Sequence, residues 1–436
     1  MTPDRADALV IRGQRVMTET GLRAASIHVA GGRITRLGIW DDNPPDVPLV
    51  DAGGTIVMPG IVDTHVHVNE PGRTEWEGFE TATRAAAAGG ITTLLDMPLN
   101  SIPATTSVAA LEAKRAAARG KTTVNVEYIG GVVPGNAGQI EPLAAAGVRA
   151  FKCFLTPSGV DEFANVNEAD LRIAFPVLAR TGLPLMVHAE DPRLIMHGPT
   201  GGSSAYSSYL ASRPHAAEES AIEILVRLMD EASTRVHVVH LSSARSLAIT
   251  RAARARGLPL SVETCTHYLT FAADEVPDGA TEYKCAPPIR DREERDGLWE
   301  GLLAGDIDMV VSDHSPCPPA MKETGGDFFA AWGGIASIQL SLAAVWTGAR
   351  ARGISIGQVS EWMSANPARL AGFADQKGTI AAGFDADLIF FDPDARFVVD
   401  PAKLAHRHHI TPYAGRELFG VVRATYVRGA RLEVRG

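Results

Sequence analysis

The chain has 436 residues, 45% of them hydrophobic and 21% charged, which suits a folded globular protein of two or three structural units. Its formal net charge of −10 argues against nucleic acid or an anionic membrane as the main partner and leaves a small neutral ligand open. No apolar run approaches the ~20 residues that cross a bilayer, and Met1 to Asp7 lack the basic-then-apolar pattern of a leader.

Residues 8 to 57 read as short strands. Ala8 to Arg12, Ala25 to Val29 and Arg33 to Leu37 are rich in β-formers, with a Gly-containing turn at Ala30 to Gly32. His28 falls inside one of them and reads as structural.

From about residue 58 apolar runs alternate with Ala-rich helical stretches. Ile61 to His67 precedes a helix over Trp76 to Ala88. Thr92 to Met97 precedes one near Val108 to Arg119, and Thr123 to Tyr128 one near Ala137 to Ala146. Arg149 to Leu155 precedes Glu168 to Arg180, and Leu183 to His188 precedes Glu218 to Glu231. Arg235 to His240 precedes Ala244 to Arg256, and Leu258 to Glu263 precedes Arg292 to Leu303. The last unit is Asp308 to Asp313 with Ile335 to Arg350. Eight strand–helix units with continuously apolar strands predict an α/β fold, a (β/α)8 TIM barrel over 58–370. The strand-rich texture returns in the tail, at Gly383 to Phe391, Phe397 to Val399 and Val421 to Arg428. Segments 1–57 and 371–436 are each small for a core of their own, so both chain ends are expected to share one small β-sandwich.

The four cysteines, Cys153, Cys265, Cys285 and Cys317, lie far apart. They read as buried reduced thiols in a cytoplasmic chain, not as a disulfide frame.

In the barrel, chemistry belongs at the C-terminal ends of the strands. Those ends carry His65 and His67 on strand one, Lys152 on strand four, His188 on strand five, His240 on strand six and Asp313 on strand eight. Any one of these histidines would ordinarily be a hydrogen-bonded core residue. Gathered on one rim, the set points to a metal centre. Lysine is the odd member, because its amine is protonated at neutral pH and cannot ligate. As a carbamate it would present two oxygens able to bridge two cations. His237 reads as facing away from His240, His267 as packing, His314 as pointing away from Asp313, and His406 to His409 as a solvated loop outside the barrel.

Several long motifs then resemble one family. They are Gly60-Ile-Val-Asp-Thr-His-Val-His-Val-Asn-Glu-Pro-Gly72 continuing to Phe79, Ala86 to Pro103, Phe151-Lys-Cys-Phe-Leu155 with Pro157 to Phe163, Tyr283-Lys-Cys-Ala-Pro-Pro-Ile-Arg290, Val311-Ser-Asp-His-Ser-Pro-Cys317, and Gly378 to Leu388 in the tail. Together they span nearly the whole chain. The sequence resembles the cyclic amidohydrolases of the amidohydrolase superfamily, and among them the allantoinases most.

The resemblance implies two divalent ions, most often Zn²⁺. His65, His67 and Asp313 would hold one, His188 and His240 the other, and Lys152 as N6-carboxylysine would bridge them. It also implies hydrolysis of the cyclic amide of allantoin to allantoate in purine catabolism, with Asp313 as the catalytic proton carrier. Backbone at Ala286 and Gly333 and the side chains of Asn69, Asn100 and Ser315 become substrate-binding candidates, and the assembly a homotetramer. Dihydroorotases usually carry Arg where this chain has Asn69, and hydantoinases and dihydropyrimidinases a Tyr shortly after the bridging lysine, which is missing here. Scaffold members of the superfamily lose ligands, whereas all six are kept in this chain.

Overall fold

The protein is described from a computed structural model covering residues 8–433. The reading of Met1 to Asp7 lies outside the described residues.

Both chain ends meet in one eight-stranded sheet. The N-terminal end supplies β1 (Ala8–Thr18), β2 (Gly21–Ala30), β3 (Arg33–Gly38), β4 (Leu49–Asp51) and β5 (Ile56–Pro59). After β5 the chain passes through Gly60 into β6 (Ile61–Val66), the first strand of the central part.

The strands that follow are β7 (Ile91–Asp96), β8 (Asn125–Tyr128), β9 (Gly130–Gly131), β10 (Phe151–Phe154), β11 (Leu185–His188), β12 (Val236–Val238), β13 (Leu260–Cys265) and β14 (Met309–Val311). They pair in chain order and in parallel, as β6-β7-β8 and as β9 through β14. The two groups touch at both edges. Strands β8 and β9, separated only by Ile129, form one strand position, and Arg149 N donates to Tyr128 O at 2.9 Å, while His67 N donates to His314 O at 2.9 Å across a parallel bridge of Val66 with His314.

The tail returns as β15 (Leu388–Val398), β16 (Glu417–Val427) and β17 (Ala430–Arg431), completing the order β17-β16-β15-β5-β1-β2-β3 with β4 on β1. Strand β15 joins into one element two runs that the sequence suggested separately. Period-two alternation explains how the terminal sheet serves two cores. Ile56 and Met58 of β5, with Ile389 and Phe391 of β15, face the large central core. Val57, Leu388 and Phe390 face a smaller one with Ile11, Ile27, Val29 and Tyr426.

Helices fill the connections. The clearest, Glu168–Thr181, starts in a capping box of Asn167 and Asp170 and stops at Gly182 with φ 68°. Two helices begin later than their sequence pattern suggested, at Phe79–Ala88 and Ser341–Ala351. In both, the preceding residues stay in the loop after a strand end that carries a site residue.

Candidate active site

Strand ends bring the expected residues together. His65 is the next-to-last residue of β6 and His67 follows the strand directly. The ring centroids run in a chain, His67 to His65 at 5.6 Å, His65 to His240 at 5.4 Å and His240 to His188 at 4.6 Å. Asp313 Oδ1 lies 3.2 Å from His65 Nε2 and 3.5 Å from His67 Nε2. His65, His67 and Asp313 hold their ligand atoms within 4.8 Å of one another. Asp63, buried in β6, accepts from His65 N at 3.2 Å and Ser312 N at 3.3 Å, fastening the first strand to the last at the level of the site.

His240 and Asp313 each lie two residues beyond their strands, at φ 41° and 46°. Asn69 and Asn100 are also left-handed, at φ 70° and 69°. Of the five non-glycine residues with positive φ among the described residues, these four belong to the predicted site. Such a conformation costs on the order of 1–3 kcal/mol and persists where packing imposes it, commonly at functional sites.

Lys152 is fully buried in β10, its Nζ without a hydrogen-bond partner and 4.8 Å from the Phe154 ring. Burial lowers its pKa to about 8, which raises the share of neutral amine at neutral pH. Burial likewise pushes the His67 pKa down to about 4 and lowers those of His188 and His240, so these imidazoles stay neutral and able to ligate. The pKa of Asp313 is lowered as well, but by its neighbours and not by burial. Burial would raise its pKa, but the charge of His65 and the hydrogen bond to His67 outweigh that and keep it ionised. His67 Nδ1, His240 Nδ1 and Lys152 Nζ are buried without partners. Orphaned donor atoms on neutral rings around an ionised carboxylate fit one or more divalent cations.

Each of two histidines is oriented by its own buried glutamate. Glu263 Oε1 sits 2.6 Å from His65 Nδ1, leaving Nε2 for the site. Glu190 Oε2 sits 2.7 Å from His188 Nε2, leaving Nδ1. Neither glutamate was singled out in the sequence. The signals were a carboxylate closing the apolar run Leu258 to Glu263, and an acid two residues after His188.

A cavity of about 570 Å³ opens over these groups, with His65, His67, His188, His240 and Asp313 in its wall. Asn100, Ala286, Ser315 and Gly333 also line it. Asn100 Oδ1 is buried without a partner, and Ser315 Oγ donates to Asp313 Oδ1 at 3.4 Å. Asn69 does not line the cavity. It is fully buried, with Nδ2 donating to Pro316 O at 3.4 Å. One wall is braced by Lys322, whose Nζ donates to Thr281 O, Lys284 O and Trp332 O at 3.2, 3.2 and 2.8 Å.

Besides Asn69, which is not at the cavity wall, the positions of two histidines differ from the sequence expectation. His237 does not face away from the site: its Nε2 bonds Glu263 Oε2 at 2.9 Å, directly behind His65. Strand β12 ends at Val238 and the chain then turns left-handed at His240, so strand alternation does not relate the two histidines. His406 is not solvated. It is 2% exposed and its ring lies 5.5 Å from that of His314, while His408 Nε2 bonds Glu75 O at 2.6 Å. The tail loop thus packs against the segment following strand one. Other readings stand as made: His314 points to Glu77 (Nε2 to Oε2 3.6 Å), and all four cysteines are free and buried.

This arrangement, imidazoles and an ionised carboxylate at the ends of parallel strands beneath a cavity, is the kind of site a metal-dependent hydrolase needs. Residues 56–432 match the profile of the Amidohydrolase family. The chain is 51% identical to the allantoinase of Streptomyces avermitilis over 429 residues, 98% of this chain and 96% of that one. It is 45% identical to the allantoinase of Saccharomyces cerevisiae over 426 residues, covering 96% and 88%. Among solved structures, the L-hydantoinase (dihydropyrimidinase) of Arthrobacter aurescens superposes with a TM-score of 0.92 at 31% identity, covering 98% of this chain and 96% of that one. The chain belongs to the amidohydrolase family.

Proposed function

We propose that the protein is an allantoinase, hydrolysing the cyclic amide of allantoin to allantoate. The observation that carries this reading is near-full-length identity of up to 51% with allantoinases, joined to a cavity lined by His65, His67, His188, His240 and Asp313, with Lys152 buried in β10. The architecture is read as a (β/α)8 barrel over 58–370, supported by eight parallel strand positions that touch edge to edge. The small β-sandwich is assigned to 1–57 and 371–436, which share a sheet.

His65, His67 and Asp313 would hold one divalent ion, His188 and His240 a second, and Lys152 as a carbamate would bridge them, with Zn²⁺ the expected metal. Bound ions would supply Lewis acidity to the amide carbonyl and lower the pKa of water. The chain does the rest. Water adds across the ring C–N bond, its oxygen joining the carbonyl carbon. Asp313, ionised at the start, accepts the proton and returns it to the departing ring nitrogen. Backbone at Ala286 and Gly333 and the side chains of Asn100 and Ser315 orient the ring from the cavity wall. Asn69 acts from behind, holding Pro316 next to the wall residue Ser315 without adding charge. The buried imidazoles and Phe154 limit bulk water around the reacting atoms.

The test is release of allantoate from allantoin by metal-loaded protein. Ring opening of hydantoins or dihydrouracil without allantoin turnover would favour the second reading, a hydantoinase, for which the 0.92 superposition speaks. For Lys152, Lys152→Ala should lose metal and activity, and a short carboxylic acid should restore part of both; full activity without rescue would exclude the bridge. No helix of the described residues is long and apolar enough to cross a membrane. The assignment of a cytoplasmic homotetramer rests on the family resemblance and is checked by light scattering and fractionation.

A further inference from the structure

Two glutamates stand behind the ligands, and their surroundings differ. Glu263 bonds His65 through one oxygen and His237 through the other, and His237 Nδ1 reaches Ser261 Oγ at 2.7 Å. The side chains of His65, Glu263 and His237 are at most 1% exposed. Among the described residues no Lys or Arg forms an ion pair with Glu263, so its charge faces only imidazoles at bonding distance. Glu190 also bonds its histidine, but Arg213 grips both of its oxygens, Nε to Oε1 at 2.9 Å and Nη2 to Oε2 at 2.6 Å. That bidentate guanidinium offsets the carboxylate charge.

A carboxylate on the far nitrogen of a ligating imidazole does two things. It fixes the tautomer and ring direction, and its charge makes the facing nitrogen a stronger donor. Glu190 retains the first effect and loses most of the second to Arg213. Glu263 retains both. The half with Glu263 also contains Asp313, the one carboxylate ligand in the set.

We infer that Glu263 with His237, and Glu190 with Arg213, are positioning residues that make the two halves of the centre unequal, the half of His65, His67 and Asp313 holding its cation more tightly than the half of His188 and His240. This rests on the two-cation reading under Proposed function.

The test titrates metal-free protein with Zn²⁺ against a chromophoric chelator, a readout independent of turnover. The wild type should bind in two resolved steps. Glu263→Gln should weaken the tighter step by about 10–100-fold and spare the other. Glu190→Gln should weaken the looser step and spare the tighter. Should Glu263→Gln fail to fold, Ser261→Ala carries the test, because Ser261 is only half-buried and its hydroxyl fixes His237. It should weaken the tighter step alone, by less. Two equal steps in the wild type, both glutamine variants weakening one step, or an unchanged tighter step in Glu263→Gln or Ser261→Ala would each overturn the inference. A wild type that takes up no Zn²⁺ would instead overturn the reading of the centre itself.

Discussion

Arg290→Met tests how far the site depends on a buried ion pair. Arg290 Nη2 and Nε contact Glu218 Oε1 at 2.6 and 3.1 Å, and both side chains are 2% exposed. Glu218 also accepts from Ser242 N at 3.0 Å, Ser242 Oγ at 2.8 Å and Ser243 N at 3.3 Å, so the loop just past His240 hangs on this carboxylate. Removing the guanidinium strands a buried charge, a change that costs about 3–5 kcal/mol. At ~2.1 cal/mol/K per residue, unfolding of 436 residues carries about 0.9 kcal/mol/K. The melting midpoint should therefore fall by about 3–5 °C if the chain unfolds as one unit, and by more if a smaller part unfolds first. Scanning calorimetry of the metal-loaded protein measures it. Glu218→Gln with Arg290→Met should recover more than half of the loss, because no bare charge remains. An unchanged midpoint in the single variant, or a double variant less stable than the single, would refute the stranded-charge argument.

Other outcomes follow from the same geometry. Asp313→Asn keeps the shape but cannot carry the proton, so kcat should fall by about 10²–10⁴, read from allantoate release at saturating Zn²⁺. Burial pushes the pKa of His267 down to about 4 and of His406 to about 3, against ~6.5 when unfolded. Between those values the unfolded chain binds more protons than the folded one, so stability should fall as pH drops from ~6.5 towards 3–4. His406→Leu should flatten that decline in melting midpoint against pH. Gly334 lines the cavity at φ 155°, and a Cβ there would lie 2.4 Å from Ser315 O. Gly334→Ala should therefore raise KM for allantoin severalfold; an unchanged KM would show that this wall does not touch substrate.

Much of the site was legible from the sequence because strand ends are marked locally. Apolar runs stop where His65, His188 and Asp313 begin, and the order of strands fixes their neighbours. The role assigned to Lys152 came from family resemblance, and its full burial is what makes a lowered pKa physically reasonable. Side-chain direction past a strand end was less legible. Alternation assumes extended backbone, and it fails where His240 and Asp313 turn left-handed. Asn69 was read as substrate-facing for its contrast with Arg in relatives, yet the same backbone turn places it behind the wall.

The sequence by itself determined the local terms: which segments are strands and helices, and which metal-competent residues close them. Those depend on neighbours a few positions apart. Only the tertiary structure decided the contacts across the fold. Glu263 reaches His65 from 198 residues away, and His406 packs against His314 on a loop of the returning tail. No local pattern encodes such pairings, because burial of a charge or an imaginably solvated histidine depends on which distant surface closes over it.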